Sequence, residues 1–289
     1  MGIAAAVNEW FRGNARDLPW RRAGFGAWGI LVSEIMLQQT QVDRVIPRLA
    51  AWLERWPTPT ALAASPPGDA VRAWDRLGYP RRALRLHAAA TAIAERHDGV
   101  VPHDVDELLA LPGIGDYTAR AVAAFAYGVR VPVVDTNVRR VIARAVLGQG
   151  EAGPPSTRRD LAAMGALLPE DPADARLFNA AAMELGAIVC TARAPRCEVC
   201  PIAEACRWRL DGYPPYEGPR SARQPRFEGS DRQVRGVLLR ALRGSDIPVT
   251  GEELAPLWPD AEQRERALTG LLADGLAVAV DGGYELPRA

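Results

Sequence analysis

The first two hundred residues carry apolar side chains three and four positions apart, the spacing of one buried helix face. From Val42 to Trp56 this spacing predicts one long helix. Pro80 stands at the start of a second pattern that runs through Ile93, at a position where its fixed φ is tolerated. The same reasoning predicts a short helix ending at Leu108 and Leu111, and helices over Tyr117–Tyr127, Asn137–Val146, Leu161–Leu168 and Ala175–Val189. No strand pattern precedes Cys206, so a mainly α fold is expected.

The pattern changes after residues 212–225, a stretch rich in Pro, Gly and Arg that predicts a linker. Beyond it, helices are expected over Val234–Leu242, from the capping-box sequence at 250–253, and over Glu265–Ala273. A small hairpin follows, with strands at 277–280 and 284–286. Three helices and a hairpin over 226–289 resemble a winged-helix module. Such a module either binds DNA or serves as a packing domain, and the sequence favours neither role.

Four cysteines lie close together near the end of the first region, and the chain contains no others: Cys190, Cys197, Cys200 and Cys206. A chain of 289 residues can bury an ample core without disulfides. Four thiolates in the spacing C-x6-C-x2-C-x5-C suit one soft centre, either an iron–sulfur cluster or zinc. Structural zinc prefers two short C-x2-4-C pairs, and only one pair here is close. The spacing therefore favours a cluster.

Composition narrows the chemistry without identifying it. All 35 basic residues are arginine, and they balance 35 acidic residues. Without a lysine amine, the chain cannot form a lysine Schiff base with a sugar aldehyde. Zero net charge does not exclude nucleic acid, because local patches govern phosphate binding. No apolar run is long enough for a membrane span, and the N-terminus lacks a signal-peptide pattern, so we expect a cytoplasmic, nucleoid-associated protein.

A glycine-rich turn joins two of the predicted helices. Its sequence is L-P-G-I-G-D-Y-T at 111–118. Two glycines two positions apart allow a tight turn whose backbone N–H groups form an anion cradle at a helix N-terminus. The positions predicted to contact DNA here are Leu111, Gly113, Ile114, Gly115 and Thr118. The string is similar to the helix–hairpin–helix of DNA repair glycosylases.

Two carboxyl groups are candidates for acid–base chemistry. Asp135 precedes a predicted helix and is expected to cap it, and capping can hold a carboxylate ionised. Glu34 lies within an apolar stretch, where a carboxyl group should resist ionisation and keep its proton near neutral pH. Helical periodicity alone would instead allow an exposed Glu34. Gln38, Gln39 and Gln41 follow it and offer hydrogen bonds to base edges.

Taken together, these strings resemble the MutY family of A/G-specific adenine glycosylases, within the endonuclease III-like superfamily. The resemblance runs from about Trp10 to Cys206 and includes the cysteine set. The other matching strings are R-D-L-P-W-R at 16–21, S-E-I-M-L-Q-Q-T-Q-V at 33–42, L-G-Y at 77–79, L-P-G-I-G-D-Y-T-A at 111–119, D-T-N at 135–137 and E-L-G-A at 184–187.

The resemblance implies a two-lobed helix–hairpin–helix glycosylase core over 1–211, a linker over 212–225 and the module at 226–289. A six-helix lobe would span about 25–130, and the N-terminal segment with 131–206 would form the lobe that binds a 4Fe–4S cluster. The expected partner is double-stranded DNA containing mispaired adenine, bound by a monomer.

The family also implies roles for individual residues. Tyr117 and Asn137 would orient the catalytic groups. Gln39 and Tyr79 would enter the helix as wedges when the base is flipped out. The adenine pocket would be lined by Leu18, Trp20, Arg21 and Glu184.

Loss of adenine from deoxyribose needs a proton on the base and negative charge beside the developing oxocarbenium ion. We assign Glu34 as the acid toward adenine N7 and then as the base for water, and Asp135 as the stabilising charge; a covalent bond from the aspartate to C1′ stays open. Because lysine is absent, the enzyme should be monofunctional. The alternatives are a G/T-mismatch thymine glycosylase and a non-catalytic DNA-binding protein.

Three features depart from the family pattern. Thr136 stands where many adenine glycosylases have glycine, and Pro80 replaces a second tyrosine after Tyr79. Residues 226–289 are too few for the Nudix-like domain that checks for 8-oxoguanine. We therefore expect weaker discrimination of 8-oxoguanine from guanine, or a different reader.

Overall fold

A computed structural model gives the fold and describes residues 2–219 and 226–288. The fifteen helices among these residues are α1 Ile3–Asn14, α2 Ala27–Leu37, α3 Val42–Arg55, α4 Pro59–Ala63, α5 Pro67–Trp74, α6 Arg81–Arg96, α7 Val105–Leu109, α8 Asp116–Tyr127, α9 Thr136–Ala145, α10 Thr157–Gly165, α11 Pro172–Ile188, α12 Arg207–Leu210, α13 Asp231–Arg243, α14 Gly251–Leu254 and α15 Ala261–Ala273. Two antiparallel strands, β1 Val278–Val280 and β2 Gly283–Glu285, pair with Ala279 opposite Tyr284. The mainly α fold is confirmed.

Most predicted helices are present, with differences at their ends. The helix predicted to end at Leu108 and Leu111 stops at Leu109, because Leu111 starts the following turn, in which the Ile114 N–H donates to the Leu111 carbonyl at 3.2 Å. The helix predicted to reach Leu168 stops at Gly165, where i→i−3 bonds replace the helical pattern. No strand precedes Cys206 within the described residues, as predicted. Part of the predicted linker, 220–225, lies outside the described residues.

The chain divides into two compact units. The first, called here the cluster unit, contains described residues 2–30, 103–109 and 115–219. In its core α1 and α9 pack against α11, and Phe178 and Leu185 of α11 are almost fully buried. Three of the four cysteines pack against this core, so the cysteine loop is attached to the helices that position Asp135 and Glu184.

The second unit, called here the wedge unit, contains described residues 31–102, 110–114 and 226–288. Three tryptophans form its aromatic centre, with the Trp52 ring 4.6 Å from that of Trp56 and 5.7 Å from that of Trp74, both edge-on. The 226–288 module belongs to this unit, and its α13 packs against α15. The capping box at Thr250 and Glu253 is present as predicted. The proposed domain boundaries and the winged-helix character of the module stay predictions.

Candidate active site and cysteine centre

Glu34 lies in the most deeply buried part of α2. Residues 31–36 are buried on every side, which explains why this helix is apolar throughout and lacks an amphipathic pattern. Only 3% of the Glu34 surface is exposed. Helical periodicity alone allowed an exposed glutamate here, so this burial is the finding that separates the two interpretations. Glu34 has the setting that a proton donor needs, and its catalytic role stays a prediction.

Two exposed residues of the wedge unit, Gln39 and Tyr79, stand in left-handed backbone conformations, with φ of 55° and 47°. Such values are uncommon outside glycine and cost roughly 1–3 kcal/mol each unless neighbouring structure holds them. Tyr79 keeps 47% of its surface exposed. Both residues predicted to act as wedges are therefore presented on tight turns of unfavourable backbone geometry.

Arg82 holds both of these turns, and sequence reasoning missed it. Its guanidinium is buried and donates to the Gln38 carbonyl at 2.5 Å and to the Gly78 carbonyl at 3.0 Å, the peptide groups just before the two predicted wedges. The remaining acceptors are the carbonyls of Ile35 (2.8 Å), Met36 (3.1 Å) and Leu77 (3.4 Å) and the Thr40 hydroxyl (3.0 Å). Burial lowers the pKa of Arg82 to about 10, which leaves it charged near neutral pH.

Asp135 caps α9 as predicted. Its Oδ1 accepts from the Val138 N–H at 2.7 Å, and its Oδ2 accepts from the Asn137 amide at 2.7 Å. Sequence reasoning expected capping to hold the carboxylate ionised. Instead, burial raises the pKa of Asp135, and the hydrogen bonds and the Arg140 charge only partly oppose that effect. Asp135 is thus harder to ionise than its hydrogen bonds to the start of α9 would predict.

A chain of hydrogen bonds leads from Asp135 to the cysteine loop. Arg140 Nη2 donates to Asn137 Oδ1 at 2.8 Å and to the Gly186 carbonyl at 2.6 Å, and Arg140 Nε donates to the Cys190 carbonyl at 2.7 Å. Gly186 is required here, because a Cβ atom at this position would lie 2.7 Å from the Cβ of Asn137. Sequence reasoning missed Arg140; its place one helical turn after Asn137 was the available signal.

The four cysteines line one cavity in the cluster unit, together with apolar side chains such as Leu185 and Val189. Burial and then the neighbouring thiols raise the pKa of Cys200 to about 11, so four thiolates need a cationic centre to be stable here. Thiols spaced around a cavity fit a cluster of several irons.

Arg144 lies against this centre and is almost fully buried. Its guanidinium donates to the Cys190 sulfur at 3.4 Å and to the carbonyls of Thr191 and Ala192, at 2.8 and 3.2 Å. Hydrogen bonds to cluster sulfurs tune an iron–sulfur centre. The cysteine loop is thus supported by two arginines of α9, Arg140 and Arg144.

Of the residues predicted to line the adenine pocket, Arg21 and Glu184 are in contact, and Arg16 joins them at the Glu184 carboxylate. Arg16 donates through its backbone N–H and its side chain, and Arg21 donates to Glu184 Oε2 at 2.9 Å. These bonds outweigh burial and lower the pKa of Glu184 to about 2. Leu18 is buried, whereas Trp20 and Arg21 are half-buried. Arg16 belongs to the R-D-L-P-W-R string at 16–21, but sequence reasoning assigned it no role.

The hairpin turn is present at 111–115. Gly113 has a φ of 75°, and a Cβ atom there would lie 2.6 Å from the Cβ of Arg85, so glycine is required twice over. Leu111, Ile114 and Thr118 are buried, so their side chains are largely withdrawn from solvent. Gly115 caps α8, and Tyr117 is half-buried beside Val133.

Comparison with known proteins agrees with this geometry. Residues 32–165 match the HhH-GPD superfamily base excision DNA repair protein model, and residues 190–206 match the iron–sulfur binding domain of endonuclease III. The adenine DNA glycosylase of Mycolicibacterium smegmatis is 57% identical over 280 residues, which cover 96% of this chain and 94% of that protein.

Two solved structures share the fold. A thermostable thymine-DNA glycosylase matches with a TM-score of 0.66 at 26% identity, over 72% of this chain and 95% of that one. Endonuclease III in a non-covalent complex with DNA matches with a TM-score of 0.62 at 23% identity, over 72% of this chain and 94% of that one. None of the described helices combines the length and apolar character of a membrane span.

These matches cover the hairpin, both candidate carboxyl groups and the cysteine loop, and the cysteines fit the cluster by their own chemistry. The chain therefore belongs to the adenine DNA glycosylases of the HhH-GPD base excision repair superfamily, enzymes that hydrolyse N-glycosyl bonds, and its four cysteines hold a 4Fe–4S cluster.

Proposed function

We propose that the protein binds double-stranded DNA and removes adenine mispaired with 8-oxoguanine or guanine, as a monofunctional glycosylase that leaves an abasic site. The observation that carries the proposal is the burial of Glu34, which suits a group that must hold a proton near neutral pH. The absence of lysine supports monofunctional action, because no lysine amine is available to attack the sugar.

Glu34 donates its proton to adenine N7, the C1′–N9 bond breaks, and the base leaves as neutral adenine. The sugar becomes an oxocarbenium ion, which the Asp135 carboxylate stabilises. The Glu34 carboxylate then takes a proton from water, the hydroxyl group bonds to C1′, and the abasic site forms with Glu34 reprotonated. Two carboxyl groups with different environments divide the tasks of acid and anion.

The setting of Asp135 suits a charge that matters most in the transition state. Burial disfavours its anion in the resting enzyme, and a cationic sugar would restore a favourable partner. Asn137 fixes the orientation of the carboxylate through the 2.7 Å bond to Oδ2. Arg140 in turn fixes Asn137, and Tyr117 is proposed to contribute to the same orientation.

The base reaches these groups by leaving the duplex. We propose that Gln39 and Tyr79 fill the space it vacates, since both project from exposed left-handed turns held by Arg82. Backbone N–H groups of the hairpin at 111–118 would hold a phosphate, as its glycine geometry allows. Leu18, Trp20 and Arg21 would contact the adenine, with Glu184 keeping Arg21 in place through their 2.9 Å ion pair.

Cys190, Cys197, Cys200 and Cys206 would hold the cluster, which would fix the shape of the loop that carries them, and the Cys190 carbonyl connects this loop to Arg140. Apart from that loop, the proposed steps depend on protein side chains alone.

Single-turnover cleavage of duplexes with A opposite 8-oxoguanine, A opposite G and T opposite G tests the proposal. We expect adenine release from the first two, no thymine release, and strand breaks only after alkali. Borohydride should trap no protein–DNA adduct. Thymine release without adenine release would favour the second candidate, a mismatch thymine glycosylase, which the 26% identity to such an enzyme motivates. Binding without cleavage of any duplex would contradict both.

A further inference from the structure

The loop that leads to Tyr79 has an unusual set of backbone partners. All four carbonyls ahead of Tyr79 accept a hydrogen bond from a side chain. The donors are Arg243 to Asp75 (2.5 Å), Arg44 to Arg76, Thr40 to Leu77 (3.0 Å), and Trp74 to Gly78 (2.9 Å), with Arg82 as a second donor to Leu77 and Gly78. We call residues 75–79 the wedge loop. Its shape is fixed by five side chains from different parts of the wedge unit.

The wedge loop needs such support because both of its ends are unfavourable. Asp75 has a φ of 42° and Tyr79 a φ of 47°, and neither residue is glycine. A positive φ is unfavourable for L-amino acids other than glycine. Without partners the loop would relax to other conformations, and Tyr79 would lose its fixed direction.

One of these supports comes from the C-terminal module. Arg243 is the last residue of α13, and its half-buried guanidinium reaches the Asp75 carbonyl. Hydrogen bonds also run in the opposite direction. Arg72 of α5 donates to the Arg243 carbonyl and, at 3.1 Å, to the Ser245 carbonyl. The end of α13 and the end of α5 are therefore joined just where the wedge loop begins.

Further contacts attach the module to the two helices that flank the loop. The Gly68 N–H of α5 donates to the Pro287 carbonyl at 2.7 Å, and a Cβ atom on Gly68 would lie 2.5 Å from that oxygen. Arg81 of α6 forms an ion pair with Asp274 at 3.1 Å. The module thus packs on α5 before the loop and on α6 after it.

The module carries no overall excess of basic side chains. Residues 226–288 contain eleven acidic and eight basic side chains. In a winged-helix protein α15 would be the recognition helix. On this helix the negative charges of Glu262 and Glu265 equal in number the positive charges of Arg264 and Arg266. Phosphate binding needs an excess of basic side chains on one surface. The sequence left two roles open for the module, DNA binding and packing. The contacts of the module with α5 and α6 favour packing.

We propose that the 226–288 module is an internal brace, and that Arg243 is a positioning residue that holds the wedge loop so that Tyr79 meets the DNA in a fixed direction. The proposal rests on the role of Tyr79 in the proposed function. The module would thus serve base flipping.

The test compares the full-length holoenzyme with Arg243→Ala, Arg243→Lys and Tyr79→Ala, each checked for cluster absorbance and thermal unfolding. Arg240→Ala is the matched control, because Arg240 lies on the same helix, is exposed and contributes the same charge. Single-turnover adenine release is measured on a paired A:8-oxoguanine duplex and on a duplex in which the adenine is bulged. A 2-aminopurine next to a non-cleavable adenine analogue reports unstacking.

Arg243→Ala should lower the rate on the paired duplex by about tenfold or more, since a small misplacement of a positioning group can cost up to about a hundredfold. The rate on the bulged duplex should change little, because that adenine is already unstacked. The 2-aminopurine signal should fall in parallel, Arg243→Lys should recover part of both losses, and Arg240→Ala should match wild type. In the Tyr79→Ala background, Arg243→Ala should add no further loss.

Other outcomes have distinct meanings. The role of the module as a brace would be overturned if the rate loss of Arg243→Ala added fully to that of Tyr79→Ala. It would also be overturned if Arg243→Ala slowed release equally on the paired and the bulged duplex. Neither result would contradict the role of Tyr79 as a wedge. Equal losses in Arg240→Ala and Arg243→Ala would mean that the module acts through its charge on DNA, which also overturns its role as a brace. A Tyr79→Ala enzyme at the wild-type rate on paired DNA would instead overturn the wedge in the proposed function.

Discussion

Arg140 in the cluster unit and Arg82 in the wedge unit make a useful comparison, because each is a half-buried or buried guanidinium that holds a functional segment. Arg140 reaches Asp135 through one intervening amide, that of Asn137, so it acts on a group that ionises. Arg82 donates only to neutral acceptors, five carbonyls and a hydroxyl, so it acts on backbone shape. Loss of Arg140 should therefore slow the chemical step, and loss of Arg82 should impair base flipping.

The largest expected effect separates chemistry from binding. Glu34→Gln should bind the A:8-oxoguanine duplex with unchanged affinity and lose adenine release by about 10²–10⁴-fold, because an amide cannot supply the proton. Equilibrium binding and single-turnover rates measure the two quantities. The shape of the buried site is kept by the isosteric amide, and Ser33→Ala, next to it and equally buried, is the control for disturbance of α2. Normal release by Glu34→Gln would refute the acid assignment.

Arg82→Met should destabilise the protein by about 3 kcal/mol, because it leaves buried carbonyls without donors. It should also slow release from paired DNA more than from DNA with a bulged adenine. Urea titration and single-turnover rates check the two parts. Arg81→Met, which removes an ion pair of a more exposed arginine, should cost less than about 1 kcal/mol. An equal slowing on both duplexes would break the distinction between the two arginines.

The buried Glu184 predicts a pH dependence of stability. Its folded pKa of about 2 lies below the ordinary value of 4.5, so the carboxylate stabilises the fold above about pH 4.5. That contribution, about 3 kcal/mol from the pKa difference, is lost as the pH falls toward 2. Glu184→Gln should therefore unfold at lower urea than wild type at pH 7, and the gap should narrow between pH 4.5 and the acid limit. A gap independent of pH would show that the ion pairs with Arg16 and Arg21 contribute little.

The smallest expected effect concerns the pH profile. Asn137→Ala removes one of the hydrogen bonds that oppose the raised pKa of Asp135, so that pKa should rise further. Because the proposed mechanism needs Asp135 as an anion, the acid side of the single-turnover profile should move to higher pH, and the rate on the plateau should fall about tenfold. Arg82→Met should leave the position of this limb unchanged. If Arg82→Met also moved the acid side of the pH profile, the proposed difference between the Arg140 and Arg82 networks would be contradicted.

The sequence predicted those parts of the fold and site that depend on local patterns. Helix faces, the capping box at 250–253, the hairpin glycines and the Asp135 cap each involve residues a few positions apart, so spacing alone was informative. Glu34 could be placed in an apolar stretch, but its burial depended on the neighbours of α2 and needed the structure. The family resemblance supplied the predicted roles of Gln39, Tyr79 and Glu184, which residue spacing could not supply.

The arginine networks could not be predicted, because their partners lie far apart in the chain. Arg140 and Cys190 are separated by 50 positions, and Arg82 and Ile35 by 47. With 35 arginines in the chain, composition gave no reason to choose these two. The raised pKa of Asp135 was unexpected for the same reason, since the competition between a local cap and burial is decided by the packing of the whole unit.

The most direct test of the account is single-turnover excision of 7-deazaadenine opposite 8-oxoguanine, compared with adenine in the same duplex. The substituted base has a carbon in place of N7 and so cannot accept the proton from Glu34. The account predicts that the wild-type enzyme binds both duplexes with similar affinity and releases only adenine. Release of 7-deazaadenine at a rate near that of adenine would contradict proton transfer to N7 as the step that breaks the glycosidic bond.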